Sequence, residues 1–398
     1  MHLTREEERI LGGEEGWAKA RALEVVVKVG EALGAERLQP IAHAHVSGLS
    51  YFNIGEAGRK FIADLAAAGA RVSVPTTSNP IGFDLDSPGS WPLSVGGEAV
   101  RAQVEILRSL ERMGVSLTLT CTPYYLPDVR GIPRGSSVAW GESSAVVYAN
   151  SVLGLRTNRE GGPLALMAAI AGRTYYYGMH VDSEREPSVL YEVQGAGDVD
   201  AAAAGVIGEI LALRHKDPRP PMLDARLDEA AVRELSAAVG AAGDLAMVYI
   251  KGVTPEPLRR PPEAREAIGW DEVARRLEEL APDGQVDVVY VGCPHADAAT
   301  VERLARALAR GRPRPGGPRL LVTMSRAEEA RLSPEARQVL RRYGAVVLRD
   351  TCLVVSSVRE RLSVATDSYK AYFYLSRKGL RVGLEPTERL VERLAEAA

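Results

Sequence analysis

The three cysteines are the residues whose type and position most clearly suggest chemistry. Cys121, Cys293 and Cys352 each stand just past a β-branched run that predicts a strand. Ligands of open α/β sheets bind outside the carboxyl ends of the strands, so the three thiols are predicted to meet at one site. Thiolates favour iron–sulfur clusters, zinc or copper(I). On a four-iron cluster, three of them would leave one iron open as a Lewis acid for a substrate hydroxyl and carboxylate.

Two other interpretations of the cysteines remain open. They could be unrelated buried side chains that pack as small hydrophobic groups, because no Cys-x-x-Cys pair supports a metal site. They could also bind zinc, with His295 as a fourth ligand. The chain would then be a non-catalytic module that senses iron or binds zinc.

Three loops rich in Gly, Ser and Asn are candidate binding segments for an anionic substrate. The first, at 41–55, follows a predicted strand and combines two His, two Ser and two Gly, which could bind a carboxylate or phosphate. The second loop covers 76–84, and in it Pro80 fixes the extended conformation of Asn79. The third, at 138–145, enters a predicted helix, where Glu142 could cap the helix or orient a hydroxyl. Each loop could also be a structural turn.

Lysine is rare in this chain, which makes Lys370 a candidate anion ligand. Only seven of the 49 basic residues are Lys, and only four residues are Asn. The scarcity of amides predicts a heat-adapted source, although a GC-rich genome could produce the same Arg bias. The roles of His43, His45 and His295 stay open.

The overall composition excludes several classes of protein. With 49 basic and 52 acidic residues the formal net charge is -3, so nucleic acid is not an expected partner. No apolar run approaches the roughly 20 residues that a membrane span requires. The acidic N-terminus lacks the features of a signal peptide, and three cysteines are too few for a disulfide framework. A cytoplasmic protein without membrane contacts is therefore predicted.

The elements that must position these residues follow an α/β pattern. Short β-branched runs alternate with stretches of helical period, which predicts α/β subdomains with parallel or mixed sheets. A Pro-rich stretch near residue 216 predicts two regions. The first, 1–216, contains the polar loops and Cys121, and the second, 217–398, is a doubly wound unit with Cys293 and Cys352.

Several elements are predicted individually from their patterns. Strands are predicted at 71–74 and 115–120, a long helix at 326–343, and a turn without chemistry at 194–198.

Together these segments resemble the large subunit of the aconitase X family, in particular its archaeal phosphomevalonate dehydratase branch. The matching segments follow the family's order through nearly the whole chain: HVSGLSYFNIG at 45–55, TTSNPIGFD at 76–84, CTPYY at 121–125, AWGESSAVVYANS at 139–151, VGCPHA at 291–296, Cys352 and the segment around Lys370. The chain departs from other aconitases, whose cluster cysteines include a Cys-x-x-Cys pair.

The resemblance implies an aconitase-like α/β catalytic domain that works with a small subunit as a heterodimer or higher assembly. It implies a hydro-lyase that dehydrates (R)-5-phosphomevalonate to trans-anhydromevalonate 5-phosphate in an archaeal mevalonate pathway for isoprenoids. Dehydration of cis-3-hydroxy-L-proline is the alternative.

The resemblance also implies the residues of the site. A [4Fe-4S] cluster with one open iron would be bound by Cys121, Cys293 and Cys352. The residues implied to contact the small phosphorylated hydroxy-acid substrate are Gly48, Leu49, Ser50, Asn79, Pro80, Glu142, Ser143 and Lys370. No convincing catalytic base is present in this chain, so the base is expected on the small subunit and the chain alone is predicted to be inactive.

Overall fold

The computed structural model describes residues 1–195, 199–358 and 361–397, so the turn predicted at 194–198 lies partly outside the described residues. Within them, the α-helices are α1 (Arg5–Leu11), α2 (Trp17–Leu33), α3 (Tyr51–Ala67), α4 (Gly97–Arg112), α5 (Pro127–Arg130), α6 (Ser143–Tyr148), α7 (Gly161–Ala171), α8 (Ala201–Arg214), α9 (Glu229–Ala242), α10 (Trp270–Leu280), α11 (Ala298–Ala309), α12 (Arg326–Ala330), α13 (Pro334–Arg342), α14 (Tyr369–Arg377) and α15 (Thr387–Leu394). Among the described residues, no helix combines the length and the apolar character that crossing a membrane requires.

The strands of the same residues are β1 (Leu38–Pro40), β2 (His43–Val46), β3 (Thr76–Ser78), β4 (Val138–Trp140), β5 (Arg173–Tyr175), β6 (Val189–Gln194), β7 (Met222–Asp224), β8 (Tyr249–Ile250), β9 (Ala264–Gly269), β10 (Val288–Val291), β11 (Gly311–Pro313), β12 (Arg319–Met324), β13 (Val346–Arg349), β14 (Ser363–Thr366), β15 (Arg381–Leu384) and β16 (Ala395–Ala397). Short 3-10 helices cover Pro123–Tyr125, Gly178–His180 and Asp182–Arg185, and a π-helical turn covers Ala149–Leu153.

A three-stranded parallel sheet in the order β3-β2-β4 carries the polar loops. Strand β2 is central, with His45 opposite Thr77 on one side and opposite Trp140 on the other. Because the strands run in the same direction, the loops that follow them leave from one edge of the sheet. These are the three loops that the sequence marks as candidate binding segments.

A five-stranded parallel sheet in the order β13-β12-β10-β14-β15 forms the C-terminal core. Strand β10 is buried over its whole length, because α11 and α15 cover one face of the sheet while α14 and Phe83 cover the other. Cys293 follows β10, Cys352 follows β13, and Lys370 lies in the helix after β14. The predicted α/β fold with several parallel sheets is confirmed.

A backbone contact joins the loop edges of these two sheets. Ile81, which follows the buried residues Asn79 and Pro80, forms a parallel bridge with Thr351. Its N–H donates to the carbonyl of Asp350 at 3.0 Å. The loops after β3 and β13 therefore meet, and residues from both halves of the chain come together.

A third parallel sheet, in the order β8-β7-β6-β9, includes strands from both sides of residue 216. The division into 1–216 and 217–398 stays a prediction. The pairs β1-β5 and β11-β16 are antiparallel.

The strand predicted at 71–74 is wrong, because the N–H groups of this segment bond outside any sheet. Val72 donates to the carbonyl of Met113 at 2.9 Å, and Ser73 donates to that of Ala169 at 2.8 Å. Strand β3 begins only afterwards, at Thr76.

The strand predicted at 115–120 is reduced to one bridge, between Ser116 and Thr77. Leu119 has a φ of 45°, which lies outside the extended range and ends any regular strand. Cys121 therefore follows an irregular segment rather than a strand.

The helix predicted at 326–343 is interrupted and forms α12 and α13. The hydroxyl of Ser333 caps α13 by accepting from the N–H of Ala336 at 3.1 Å, and Pro334 occupies the first helical position.

Candidate active site

His45 connects the polar loops at the edge of the small sheet. Its Nε2 donates to Oδ1 of Asn79 at 3.1 Å, and its Nδ1 accepts from the hydroxyl of Thr77 at 2.8 Å. The neighbouring His43 accepts at Nδ1 from the indole of Trp140 at 3.1 Å. Burial lowers the pKa of His45 to about 4 and that of His43 to about 3, so both rings are neutral at pH 7. His45 thus orients the amide of Asn79.

The loop after β2 contains Gly48, Leu49 and Ser50. Gly48 is exposed and has a φ of 67°, which glycine adopts without strain. Leu49 is buried, and its carbonyl accepts from Nε2 of Gln103 at 2.9 Å. The buried hydroxyl of Ser50 donates to the carbonyl of Val355 at 2.6 Å. This bond connects the loop to the segment after β13. It also uses the hydroxyl proton of Ser50, which is then not available to another acceptor.

Glu142 and Lys370 form a buried ion pair across 228 residues of sequence. Lys370 also donates to Oγ of Ser144 at 3.1 Å, while Ser144 and the N–H of Ala145 each donate to Glu142 at 2.6 Å. Burial opposes the ionisation of Glu142, but the charge of Lys370 and these hydrogen bonds lower its pKa. The pKa of Lys370 is raised by the charge of Glu142, against the effect of burial. Ser143 is partly exposed, with Oγ 3.5 Å from Glu142.

The three cysteines are buried and unpaired, and their segments contact one another. His295, which follows Cys293 closely, donates its backbone N–H to Sγ of Cys121 at 3.2 Å. Its ring Nε2 donates to the carbonyl of Thr351, beside Cys352, at 2.9 Å. The structure therefore brings together the three segments that the sequence predicts to converge.

The thiols also influence one another electrostatically. Burial raises the pKa of each thiol, and for Cys293 the neighbouring Cys352 and Cys121 raise it further. The charge of Lys370 acts on all three in the opposite direction. Lys370 thus acts electrostatically on each of the three thiols.

A single metal ion would need three or four donor atoms close together. Within the residues that the structure describes, no three His, Cys, Asp or Glu side chains are grouped closely enough to hold one. The Nε2 of His295 is bonded to the carbonyl of Thr351, whereas its Nδ1 has no hydrogen-bond partner among the described residues, so the zinc interpretation stays a prediction. Thiolates of a cluster bind different irons and stand farther apart than ligands of one ion. Three buried soft donors from three segments fit an iron–sulfur cluster in chemistry.

Some residues of the site carry little sequence signal. Gln103 lies in α4 and bonds to the loop after β2, yet only the rarity of Gln in this chain could have marked it. Ser368 donates to the carbonyl of Cys293 and caps α14. Ser144 was within reach of prediction, because it stands in the Gly-Glu-Ser-Ser segment already noted for Glu142.

The sequence and the fold are those of a known family. Models of the aconitase X first, second and third domains match residues 1–183, 187–278 and 286–396 of this chain, respectively. The chain belongs to the aconitase X family.

Two kinds of relative differ in how much of their length this chain covers. The phosphomevalonate dehydratase large subunit of Aeropyrum pernix is 55% identical, over 98% of this chain and 99% of its own length. The cis-3-hydroxy-L-proline dehydratase of Pseudomonas aeruginosa is 33% identical, over 87% of this chain but only 61% of its own length. The crystal structure of Thermococcus kodakaraensis aconitase X in its holo-form has a TM-score of 0.90 and 37% identity, over 99% of this chain and 100% of that one.

Proposed function

We propose that this chain is the large subunit of a phosphomevalonate dehydratase, a hydro-lyase of an archaeal route to isoprenoids. The reaction removes water from (R)-5-phosphomevalonate and gives trans-anhydromevalonate 5-phosphate. The observation that carries this proposal is the end-to-end similarity to large subunits with that activity in their names. The hydroxyproline dehydratases are more distant and extend well beyond the region that this chain matches.

The proposed cofactor is a [4Fe-4S] cluster on Cys121, Cys293 and Cys352, with one iron free of protein ligands. When bound, such a cluster supplies a Lewis acid that polarises the departing hydroxyl. The burial of the three thiols supports this assignment, since it keeps water away from the sulfurs. The positive charge of Lys370 also supports it, because binding requires the thiols in their deprotonated form.

The chain's own residues would bind and orient the substrate. Charge develops on the substrate carboxylate as the adjacent C–H proton leaves, so fixed donors at this position lower the barrier. The amide of Asn79, held by His45, is such a donor, and Gly48 allows the backbone to approach the ligand. Lys370 supplies the positive charge, and Glu142 holds its ammonium group in place.

Leu49, Ser50, Pro80 and Ser143 would complete the substrate contacts. Leu49, Ser50 and Pro80 are buried at the joined loop edges, while Ser143 is partly exposed beside Glu142. These four assignments rest on the family motif, and each can be tested by substitution.

The proton acceptor would come from a small subunit. Glu142 is held by Lys370 and Ser144, and His45 uses both ring nitrogens, so neither is free to remove a proton. We therefore propose a complex of this chain with a small partner subunit, acting in the cytoplasm.

The test is an anaerobic assay of this chain co-purified with its small subunit after cluster reconstitution. Water loss from (R)-5-phosphomevalonate is expected, with no turnover of cis-3-hydroxy-L-proline. Substituting Ser for Cys121, Cys293 or Cys352 should abolish both the cluster absorption and the activity. Turnover of hydroxyproline alone would contradict the substrate assignment. A preparation with zinc and no sulfide would contradict the cofactor.

A further inference from the structure

We propose that His295 is a positioning residue that holds the three cysteine segments in the arrangement needed by the metal centre. The inference rests on the proposed cluster. His295 follows Cys293 by two residues, its N–H bonds to Sγ of Cys121, and its ring bonds to the carbonyl before Cys352. A single residue therefore contacts every segment that supplies a thiol.

The ring contact shows which ring nitrogen of His295 carries the proton. The carbonyl of Thr351 can only accept, so Nε2 of His295 carries the proton and donates. Nδ1 is buried and has no hydrogen-bond partner among the described residues. The ring therefore has one structural bond, made by the atom farthest from the backbone. A replacement must place a donor at the same distance to preserve it.

The backbone contact depends on the ring contact. The bond from Nε2 to Thr351 fixes the ring, and the fixed ring in turn restricts the backbone of His295. That backbone directs its N–H at Sγ of Cys121. Hydrogen bonds to the sulfurs are among the factors that set the properties of an iron–sulfur cluster. Loss of the ring should therefore loosen the Cys352 segment and disturb the N–H contact to Cys121, although every variant keeps that N–H.

Substitution of His295 by Gln or Asn distinguishes the loss of the ring's hydrogen bond from the loss of the volume that the ring fills. The amide nitrogen of Gln lies as many bonds from Cα as Nε2 of His, whereas that of Asn matches Nδ1. H295Q should retain the bond to Thr351, and H295N should lose it. H295A removes the side chain altogether.

His180 provides a matched control. It is also buried, its Nδ1 lies 3.0 Å from Oγ of Ser137, and its Nε2 has no hydrogen-bond partner among the described residues. Its hydrogen bonds involve no cysteine segment. H180A therefore reports the general cost of removing a buried imidazole.

The first measurement needs no cluster. In the cluster-free protein under anaerobic conditions, the alkylation rate of each cysteine is measured by mass spectrometry, with thermal melting to confirm folding. H295A and H295N should raise the rates at Cys121 and Cys352 by about three- to tenfold, the range that one buried hydrogen bond supports. H295Q and H180A should match the wild type. Unchanged rates in H295A, or the same increase in H180A, would overturn the proposal.

The second measurement uses the reconstituted complex with its small subunit. Iron loss to a chelator and the EPR spectrum are followed, and H295A should lose iron about three- to tenfold faster, with H295Q restoring the wild-type rate. A wild-type complex that never takes up a cluster would refute the proposed cofactor. A wild-type complex with a cluster and an indistinguishable H295A would refute the role of His295 alone.

Discussion

Glu142 and Lys370 join two helices, α6 and α14, through charges that are almost fully removed from water. Such a pair contributes little net stability, because desolvation of both ions offsets their attraction. Either ion alone is costly to bury. A pair of this kind is best explained by the use of its charges at the site, since an apolar pair would serve packing equally well.

Substituting Met for Lys370 should therefore destabilise the protein strongly. The change leaves Glu142 buried without a counter-charge, and the expected loss is about 3–5 kcal/mol of unfolding free energy. Urea unfolding of the cluster-free protein measures it. Adding E142Q to the same chain should recover part of the loss, because the uncompensated charge is then removed.

The matched control is the exposed pair of Lys28 and Glu24, which lie 2.7 Å apart on α2. K28M should lower the unfolding free energy far less than K370M, because solvent screens the exposed pair. If K370M lowers the unfolding free energy no more than K28M does, the expected cost of leaving Glu142 without its counter-charge is wrong.

Glu160 gives the protein a defined pH response away from the cysteines. Burial raises its pKa to about 7, although hydrogen bonds from Tyr175 at 2.9 Å and Thr174 at 3.0 Å oppose the shift. A carboxyl group whose pKa is raised by folding stabilises the folded state most at pH values below its pKa in the unfolded chain, near 4.5. This stabilisation is lost as the pH rises through the pKa in the folded protein, about 7.

Substituting Gln for Glu160 should flatten the decline of stability between pH 4.5 and 7. The slope attributable to this group is at most about 1.4 kcal/mol per pH unit, and the amide does not titrate. Denaturant unfolding across this pH range measures it. The exposed Glu14 is the control, and E14Q should leave the profile as in the wild type. An unchanged slope in E160Q would disprove the assignment.

Individual residues could be predicted from the sequence by type and local order, but their partners could not. The clustering of Gly, Ser and Asn marks Asn79 and Glu142 as candidates. The ion pair of Glu142 with Lys370 and the bond from Ser50 to Val355 join distant segments, and no local pattern encodes them. Burial of the imidazoles, which makes His45 a neutral positioning group, also depends on the complete fold.

Helix α9 supports the site from behind by packing closely against the beginning of α6. A Cβ at Gly240 would lie 2.6 Å from the carbonyl oxygen of Ser143 and 3.2 Å from the backbone nitrogen of Ser144. The absence of a side chain at this position allows the contact, and the contact in turn places Glu142.

G240A should displace the start of α6 and weaken the site through the backbone of Ser143. The expected cost is about 1–3 kcal/mol of unfolding free energy, with a raised KM of the reconstituted complex. The control is G97A, because a Cβ at Gly97 meets only a side-chain atom of Arg101 at 3.6 Å. If G240A and G97A had the same unfolding free energy and the same KM, the close contact between Gly240 and α6 would not be needed to position Glu142.

Elements of regular pattern were predictable, and irregular ones were not. The strands of the five-stranded sheet have apolar runs because both of their faces are covered. The segment 115–120 alternates apolar residues with Ser and Thr, a pattern that also predicts a strand, but the left-handed backbone at Leu119 breaks it. The helix at 326–343 divides where Ser333 and Pro334 begin a new helix, a signal present in the sequence and outweighed by the surrounding helical composition.

The isolated chain should be inactive even with its cluster in place. Glu142 is held by Lys370 and by the N–H of Ala145, and His45 uses both ring nitrogens, so we expect the proton acceptor to come from the partner. Assaying the purified chain with (R)-5-phosphomevalonate, and then titrating in the small subunit, measures this. Activity should rise with added partner and saturate. Substantial turnover before addition would place the base in this chain.

The fold of the whole molecule could be predicted mainly from the order of the family's motifs, and less from the alternation of predicted strands and helices. Alternating elements indicate an α/β protein, but they do not specify which sheets share a site. The bridge between Ile81 and Thr351, which joins two sheets, follows from tertiary packing alone. Similarly, the third sheet takes strands from both sides of the Pro-rich stretch near 216, where composition suggests a boundary.

Cys352 and Lys370 follow Cys121 at a long distance in the sequence. A chain emerging from the ribosome cannot bring the three thiols together until the residues up to Cys352 have been made. Under the proposed function, a cluster could therefore be loaded only after this stretch of the chain has been synthesised. A chain shortened just before Cys352 would accordingly keep Cys121 and Cys293 but lose one of the three proposed ligands, together with strand β14 beside β10.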